Sequence, residues 1–268
     1  MVMTMPHRPR KRFGQNFLQD TGIIQQIIAS IGIMPGDHCI EIGPGQGALT
    51  EYLVKTGNRI DVIELDRDLA DFIRIRYGHC NNLTIHSADA LKFDFSGLAV
   101  DGKKLRIIGN LPYNISTPLM FHLLENSPII QDMHFMLQKE VVDRICASPG
   151  NKQYGRLSVM IQYYCSSERL FDVPPESFYP TPKVMSSIIK LTPDATPPVQ
   201  VTDIAHFSQL VSMAFSQRRK TIRNGLKKLI DKDQFCQLSI NPELRPENLT
   251  LSDFAQLCNA SLVDPAPT

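Results

Sequence analysis

The sequence lacks any long apolar segment, and this absence narrows the class of protein. Among its 268 residues there is no run of about 18 apolar residues, the minimum for a membrane-spanning helix. The N-terminal residues are basic and contain no apolar stretch of the kind found in secretory signals. No internal repeat or low-complexity tract occurs. We therefore expect a soluble, cytoplasmic protein that has no membrane partner.

Cysteine pairs with the spacing of a metal or redox site are also missing. The sequence has six cysteines: Cys39, Cys80, Cys146, Cys165, Cys236 and Cys258. None forms a C-x-x-C pair, and none has a histidine nearby at metal-ligand spacing. This pattern is typical of buried thiols in a reducing cytosol. We therefore expect neither a disulfide framework nor a bound metal.

Net charge is close to zero, yet the basic residues are concentrated in two segments. The formal net charge is +1, and hydrophobic residues make up 43% of the chain, enough for a substantial core. Residues 1–19 contain basic but no acidic side chains: Arg8, Arg10, Lys11 and Arg12. The same holds for residues 216–230: Arg218, Arg219, Lys220, Arg223, Lys227 and Lys228. This distribution favours a polyanionic partner that is bound at particular surfaces.

Short apolar runs alternate with helix-like segments through the first two-thirds of the chain. The apolar runs are residues 39–42, 60–65, 83–85, 105–108 and 133–137. The helix-like segments are residues 48–55, 68–77, 117–125 and 139–147. This alternation predicts a parallel sheet covered by helices. Residues 158–166 and 183–191 are predicted as the final strands, the last of them antiparallel.

The remainder of the chain has only helical patterns. The proline-rich residues 193–198 are typical of a linker. Beyond them, apolar stripes at helical spacing predict helices, and Thr250 with Asp253 resembles a capping box. We therefore predict an α/β domain over residues 1–192 and a small all-helical domain over residues 199–268.

A glycine-rich turn follows the first long predicted strand. Its sequence, Glu41-Ile-Gly43-Pro-Gly45-Gln-Gly47, lets the backbone turn sharply and approach a ligand where a Cβ would clash. Dinucleotide-binding turns have the spacing G-x-G-x-x-G, whereas this one is G-x-G-x-G. The difference favours a nucleoside without a pyrophosphate. Taken alone, such a turn is more often an ordinary strand–helix connection than a ligand site.

Acidic residues follow the next two predicted strands. Glu64 ends the second strand, where its carboxylate could accept both hydroxyls of a ribose, and Asp89 follows the third, where it could accept from an adenine amino group. Either residue could instead simply cap the next helix. Because ligands of open α/β sheets bind at the carboxyl ends of the strands, the turn and both acids together favour S-adenosylmethionine over NAD.

The fourth strand ends in Asn110-Leu111-Pro112-Tyr113, which suits the methylation of an exocyclic amine. The lone pair of adenine N6 is delocalised, so two acceptors for its N–H groups would make the nitrogen a better nucleophile. The Asn110 side-chain oxygen and the Leu111 carbonyl, directed by the rigid Pro112, could be these acceptors. Tyr113 could stack on the base. Alternatively, Asn110 and Pro112 merely end the strand and Tyr113 packs inside.

Five segments together resemble the ribosomal RNA adenine dimethyltransferases, in particular the bacterial small-subunit branch. The segments are residues 11–18, 41–47, 110–118, 178–184 and 214–224. The resemblance spans roughly residues 10–229. It implies a Rossmann-like, S-adenosylmethionine-dependent methyltransferase sheet followed by an RNA-binding helical domain. It also implies dimethylation of N6 on two adjacent adenosines in the 3′-terminal hairpin loop of 16S rRNA, within the small ribosomal subunit or its precursor.

The resemblance also implies roles for individual residues. The implied cofactor contacts are Asn16, Leu18, Gly43, Gly45, Glu64, Asp89 and Asn110. The segment that contains Asn16 and Leu18 would close over the methionine end of the cofactor. Phe178 would be a second aromatic residue beside the target adenine, in addition to the Asn110–Tyr113 clamp. The alternative for Phe178 is a loop anchor beside two prolines.

The second basic segment predicts where RNA binds. Arg218, Arg219, Lys220, Arg223 and Lys227 could line one side of a helix and contact phosphates, although basic helix faces are often merely solvated. We expect a monomer. Three other functions are alternatives: 23S rRNA methylation of the macrolide-resistance type, DNA adenine methylation, and ribosome assembly through RNA binding alone. The absence of a target-recognition insert argues against DNA methylation.

Overall fold

The computed structural model describes residues 15–100, 102–112, 115–217 and 219–262. By their contacts, the residues form two compact units. The first consists of residues up to Val142 together with Glu168–Pro193, and the second consists of Asp143–Ser167 together with the residues from Asp194 onward. Residues 143–167, which the sequence analysis assigned to the first domain, therefore pack with the C-terminal helices. The functional roles given to the two domains stay predictions.

The strands form one large sheet and one small ribbon. They are β1 (Phe17–Leu18), β2 (His38–Ile42), β3 (Arg59–Glu64), β4 (Leu83–Ser87), β5 (Leu105–Asn110), β6 (Ile130–Gln138), β7 (Cys165–Val173), β8 (Phe178–Tyr179) and β9 (Ser186–Pro193). The large sheet has the order β4-β3-β2-β5-β6-β9-β7, and the ribbon pairs β1 with β8. β2 to β6 pair in parallel, and β9 runs antiparallel to β6. The predicted α/β Rossmann-like class is therefore confirmed.

The helices alternate with the parallel strands and then follow one another. They are α1 (Thr21–Ile31), α2 (Thr50–Val54), α3 (Arg67–Tyr77), α4 (Ser116–Glu125), α5 (Lys139–Ile145), α6 (Arg156–Tyr164), α7 (Ile204–Ser216), α8 (Ile222–Leu226), α9 (Lys232–Gln237) and α10 (Leu251–Ala260). Local sequence explains several boundaries. Asp20 caps α1 by accepting N–H bonds from Gly22 and Ile23, and Gly32 ends the helix with a φ of 61°. The predicted capping box of Thr250 and Asp253 starts α10.

One predicted strand is wrong. Residues 158–166 were assigned to a strand, but residues 156–164 form α6 and only Cys165 and Ser166 belong to β7. In α6 nearly every side chain is buried, including Leu157, Met160 and Tyr163. A helix buried all round has no amphipathic period, so its sequence cannot be distinguished from a buried strand. The predicted antiparallel strand over residues 183–191 corresponds to β9 and is confirmed.

A buried ion network holds the amino-terminal ends of β5 and β6 together. The guanidinium of Arg106 pairs with Asp132 and Asp37, each at 2.7 Å. It also donates to the backbone oxygens of Ile31 and Gly32, at the last turn of α1. These bonds satisfy carbonyls that a helix end leaves without intrahelical partners. The network fixes α1 against the sheet at the edge opposite to the strand ends that carry the predicted site.

The second unit is built around aromatic contacts between its helices. Tyr163 of α6 packs on Phe207 of α7 with ring centroids 5.1 Å apart, and Phe215 packs on Phe254 of α10 at 5.6 Å. Asp203 caps α7 by accepting the N–H of His206. In the described part of the chain, none of the helices has the length and apolar character that crossing a membrane requires.

Candidate active site

The carboxyl ends of β2, β3, β4 and β5 open into one cavity. The register of the sheet aligns them, since Ile42 lies opposite Ile63 and Gly109, and Glu64 lies opposite Ser87. All of the predicted cofactor residues line this cavity: Asn16, Leu18, Gly43, Gly45, Glu64, Asp89 and Asn110. Leu111 and Pro112 line it as well. The structure thus brings together residues far apart in sequence, while their contacts with a cofactor stay a prediction.

The glycine turn forms the floor of the cavity and has no room for side chains. Gly45 has a φ of 56°, and a Cβ there would lie 3.1 Å from the ring of Phe17. Gly47 has a φ of 82°, and its Cβ would lie 2.8 Å from Tyr77. Both the backbone conformation and the close packing therefore require glycine. Phe17, which the sequence analysis did not assign to the site, is part of the cavity wall.

Two buried acids face the cavity. Glu64 accepts the backbone N–H groups of Gly45 at 3.3 Å and of Asp66 at 2.9 Å. Glu41 accepts the hydroxyl of Thr50 at 2.6 Å. Burial raises the pKa of Glu64, and it raises the pKa of Glu41 to about 7. A cavity with two such carboxyl groups favours a cationic ligand, because a positive charge would stabilise their ionised forms.

Glu41 was not predicted as a site residue. A signal was present, since it is an acid between two isoleucines in a predicted buried strand, residues 39–42. Asp89 was predicted, and one of its carboxylate oxygens accepts the N–H of Leu91 at 3.0 Å. This bond orients the Asp89 side chain where β4 gives way to the next loop.

Asn110, the last residue of β5, has a defined amide orientation. Its Nδ2 donates to the backbone oxygen of Asn16 at 3.2 Å. Because a carbonyl oxygen can only accept, this contact selects the nitrogen side of the amide and leaves Oδ1 directed away from Asn16. Oδ1 is the acceptor that the predicted clamp for an amino group requires.

The backbone after Asn110 separates the roles of two carbonyl groups. The carbonyl of Pro112 accepts the N–H groups of Ile115 at 3.1 Å and Ser116 at 3.2 Å, so it is engaged at the start of α4. The N–H of Leu111 donates to Met136 of the neighbouring strand. The Leu111 carbonyl is therefore the better candidate for the second acceptor. Tyr113 lies outside the described residues.

The segment before α1 is held over the cavity from several directions. Phe17 and Leu18 pair with Tyr179 and Phe178 in the β1–β8 ribbon. The side chain of Gln15 donates to Asp66 at 3.3 Å. This arrangement agrees with a segment that covers the ligand, although the ribbon itself had no signal in the sequence.

Phe178 lies in the core and does not line the cavity. It is 4% exposed and belongs to the same hydrophobic cluster as Leu18 and Ile24. This position favours the loop-anchor alternative. A contact between Phe178 and a target base stays a prediction.

The predicted RNA-binding residues lie in the second unit and are exposed. Arg219, Lys220, Arg223 and Lys227 are all accessible, and Arg223 forms an ion pair of 3.3 Å with Glu243. They do not share one helix face as suggested, since α8 begins only at Ile222 and Arg219 and Lys220 precede it. The bond from the Ile222 N–H to the Leu244 carbonyl fixes this late start. Arg218 lies outside the described residues.

The fold and the cavity together define an S-adenosylmethionine-dependent methyltransferase. The model of the family described as "Ribosomal RNA adenine dimethylase" matches residues 6–261. The chain belongs to this family. It is therefore an enzyme that dimethylates adenine in ribosomal RNA with S-adenosylmethionine as the methyl donor.

Individual relatives are similar over almost the whole chain. The chain is 53% identical over 259 residues to the ribosomal RNA small subunit methyltransferase A of Marinomonas sp., covering 97% of each sequence. It is 54% identical over 253 residues to the protein of the same name from Pseudomonas aeruginosa, covering 94% of each.

Solved structures agree with the fold. A dimethyladenosine transferase from Plasmodium falciparum has a TM-score of 0.77 and 28% identity, with 90% of this chain and 95% of that chain covered. The 23S rRNA methyltransferase ErmE has a TM-score of 0.69 and 22% identity, with 92% and 100% covered. The second likeness shows the fold alone.

Proposed function

We propose that the chain methylates small-subunit ribosomal RNA, at N6 of two adjacent adenosines in the 3′-terminal hairpin loop of 16S rRNA. The two relatives more than 50% identical to it carry small-subunit names and match almost their full length. The observation that carries the chemistry is the position of Asn110, which ends β5 in the cavity with Oδ1 directed away from Asn16.

The residues of the cavity fit the proposed methyl donor. The glycine turn, Glu64 and Asp89 all line the cavity. In the proposed complex the turn leaves space for the nucleoside, Glu64 accepts the ribose hydroxyls and Asp89 accepts the adenine amino group. The Asn16–Leu18 segment would cover the methionine end. The charges of Glu41 and Glu64 complement the positive charge of a sulfonium. When bound, S-adenosylmethionine supplies an electrophilic methyl group. The protein mainly has to align the target amine with this group and stabilise the charge that develops.

The clamp would activate the target amine by accepting both of its N–H groups. Asn110 Oδ1 takes one, and the Leu111 carbonyl takes the other. These two hydrogen bonds draw the nitrogen towards tetrahedral geometry and free its lone pair. A strong general base is not needed, because the amine becomes acidic only after the methyl group has arrived. Accordingly, the chemistry depends on acceptor geometry more than on a titrating side chain.

The helical unit would hold the RNA through its backbone. Arg219, Lys220, Arg223 and Lys227 are exposed basic side chains, and phosphate contacts of this kind supply affinity without sequence preference. Loop adenines are already partly unstacked, which lowers the free energy required to bring one into a cavity. We infer further that the enzyme acts as a monomer, since a single chain supplies every residue predicted to contact the cofactor. Its site of action would be the cytoplasm, where bacterial ribosomal subunits are assembled.

A comparison of substrates tests the proposal. The protein is incubated with methyl-labelled S-adenosylmethionine and either unmethylated small subunits, large-subunit RNA or DNA, and the product is digested to nucleosides. Already methylated small subunits are the matched control. We expect labelled dimethyladenosine from the unmethylated small subunits alone. Label found only in large-subunit RNA or DNA would overturn the proposed substrate.

A further inference from the structure

The two residues of β8 point in opposite directions. Successive side chains of a strand alternate between its faces. Phe178 is 4% exposed and packs in the core with its cross-strand partner Leu18. Tyr179 is 60% exposed, and its cross-strand partner is Phe17. The aromatic side chain that this segment offers to a ligand is therefore Tyr179.

Tyr179 is the cross-strand partner of a residue that lines the cofactor cavity. Directly opposed residues of an antiparallel pair have their side chains on the same face, with Cβ atoms about 5 Å apart. Phe17 lines the cavity, with its ring against the Gly45 turn. Tyr179 therefore shares the face of the ribbon on which Phe17 contributes to the cavity wall. Because the Tyr179 side chain is exposed and paired with the cavity wall, a nucleotide of the same RNA strand as the bound base could reach it.

The segment that follows Tyr179 has the composition of a surface for single-stranded nucleic acid. Val184 and Met185 are 43% and 39% exposed, and Lys183 between Tyr179 and them is exposed as well. A stacking ring combined with apolar area and a nearby cation is what a nucleotide needs for its base and its phosphate. Exposed apolar side chains that are grouped in this way, rather than scattered singly, indicate a contact surface.

We propose that Tyr179 is a stacking platform for the nucleotide next to the adenosine in the active site. Asn110 contacts the backbone of Asn16, the residue before β1, and β8 lies one strand further out than β1, a step of about 5 Å. The base that reaches Asn110 is therefore not the base that meets Tyr179. The platform holds the neighbouring nucleotide and thereby positions the target. This inference rests on the proposed methylation of small-subunit RNA.

Kinetics of two Tyr179 variants test the platform. Tyr179→Ala should raise the KM for small subunits by about 10-fold, within the ~5- to ~150-fold that one base–aromatic stack accounts for. The kcat and the affinity for S-adenosylmethionine should not change. Tyr179→Phe keeps the ring and should keep the wild-type KM. Ile75→Ala, which removes an equally exposed apolar side chain from α3, is the matched control and should have no effect.

A second substrate distinguishes stacking from a structural role. Small subunits are reconstituted with a ligated synthetic 3′ segment that keeps one target adenosine. Both nucleotides flanking it, one of which is the second adenosine of the pair, lack their bases. On this substrate, the KM of the wild type should rise to that of Tyr179→Ala, and the KM of the variant should not rise further. Three results would overturn the platform. The KM of Tyr179→Ala could be unchanged on normal subunits, or it could exceed the wild-type KM by the same factor on both substrates. Tyr179→Ala could also bind S-adenosylmethionine more weakly than wild type. A wild-type enzyme that is inactive on normal small subunits would instead overturn the proposed function.

Discussion

Gly109→Ala should damage catalysis through backbone geometry alone. Gly109 precedes Asn110 in β5 and lies opposite Ile42 of β2. A Cβ at this position would lie 2.9 Å from the backbone oxygen of Ile42 and 2.8 Å from Leu111 Cδ2, whereas ordinary contacts begin at 3.4 Å. Relief of the first contact requires β5 to move away from β2 by ~0.5 Å, because the Cβ and the Ile42 oxygen are both fixed by the backbone and cannot rotate away. Such overpacking costs ~1–3 kcal/mol of stability.

The displacement falls on the residues of the clamp. A misplacement of ~1 Å near the chemistry can reduce the rate by ~100-fold, so a shift of half that size should lower kcat by ~10-fold. At ~2–4 °C per kcal/mol, Tm should fall by several degrees without loss of the fold.

The control is Gly97→Ala, since a Cβ on Gly97 has its nearest neighbour, Asp94 Oδ2, at 4.0 Å. The measurements are steady-state methyl transfer to small subunits and thermal unfolding. If Gly109→Ala matches Gly97→Ala in both, the close approach of β2 and β5 does not position the clamp.

Three further changes test the electrostatics. Glu41→Gln should stabilise the ligand-free protein relative to wild type, increasingly from about pH 4.5 to about pH 7, because burial raises the pKa of Glu41 to about 7 and the unfolded wild type therefore releases this proton at a lower pH than the folded protein does. Glu41→Gln should also bind S-adenosylmethionine more weakly than wild type at pH 8. Equal affinities in calorimetry would refute the claim that the Glu41 carboxylate attracts the sulfonium. His134→Leu should reduce the loss of stability on acidification from about pH 6.5 to pH 4. Burial lowers the pKa of His134 to about 4, so the unfolded chain takes up this proton at a higher pH than the folded protein does. Urea unfolding at pH 7 and pH 5 measures the loss of stability, and an equal loss in wild type and variant would show that His134 does not cause it. Neutralising Arg219 and Lys220 together should weaken binding to small subunits. The slope of the logarithm of the binding constant against the logarithm of salt concentration should become shallower by about 0.7–0.9 per lost phosphate contact. An unchanged slope would show that these two residues do not contact RNA phosphates.

The parallel part of the sheet and its ligand edge were predictable from local patterns. The apolar runs leading to Gly43, Glu64 and Asn110 are long enough to mark strands, and each is followed by a helical pattern. Because parallel strands joined by helices place their carboxyl ends at one edge, chain order alone predicts that these residues meet. The amide orientation of Asn110 was not predictable, since it depends on a backbone oxygen of Asn16 far away in sequence.

Features set by long-range contacts were missed for the same reason. The two-residue strands Phe17–Leu18 and Phe178–Tyr179 are too short for a periodic signal, and their partners are about 160 residues apart. Without their register, the sequence cannot predict that Phe178 is buried and Tyr179 is exposed. The raised pKa of Glu41 likewise depends on burial in the completed fold.

The central claim is that Asn110 lies at the catalytic centre of a small-subunit RNA adenine dimethylase. Its most direct test compares wild type and Asn110→Ala with labelled S-adenosylmethionine and unmethylated small subunits, followed by nucleoside analysis and a subunit-binding assay. We predict labelled dimethyladenosine from the wild type, none from the variant, and similar subunit binding by both. No dimethyladenosine from the wild type, or an equal amount from Asn110→Ala, would contradict the claim.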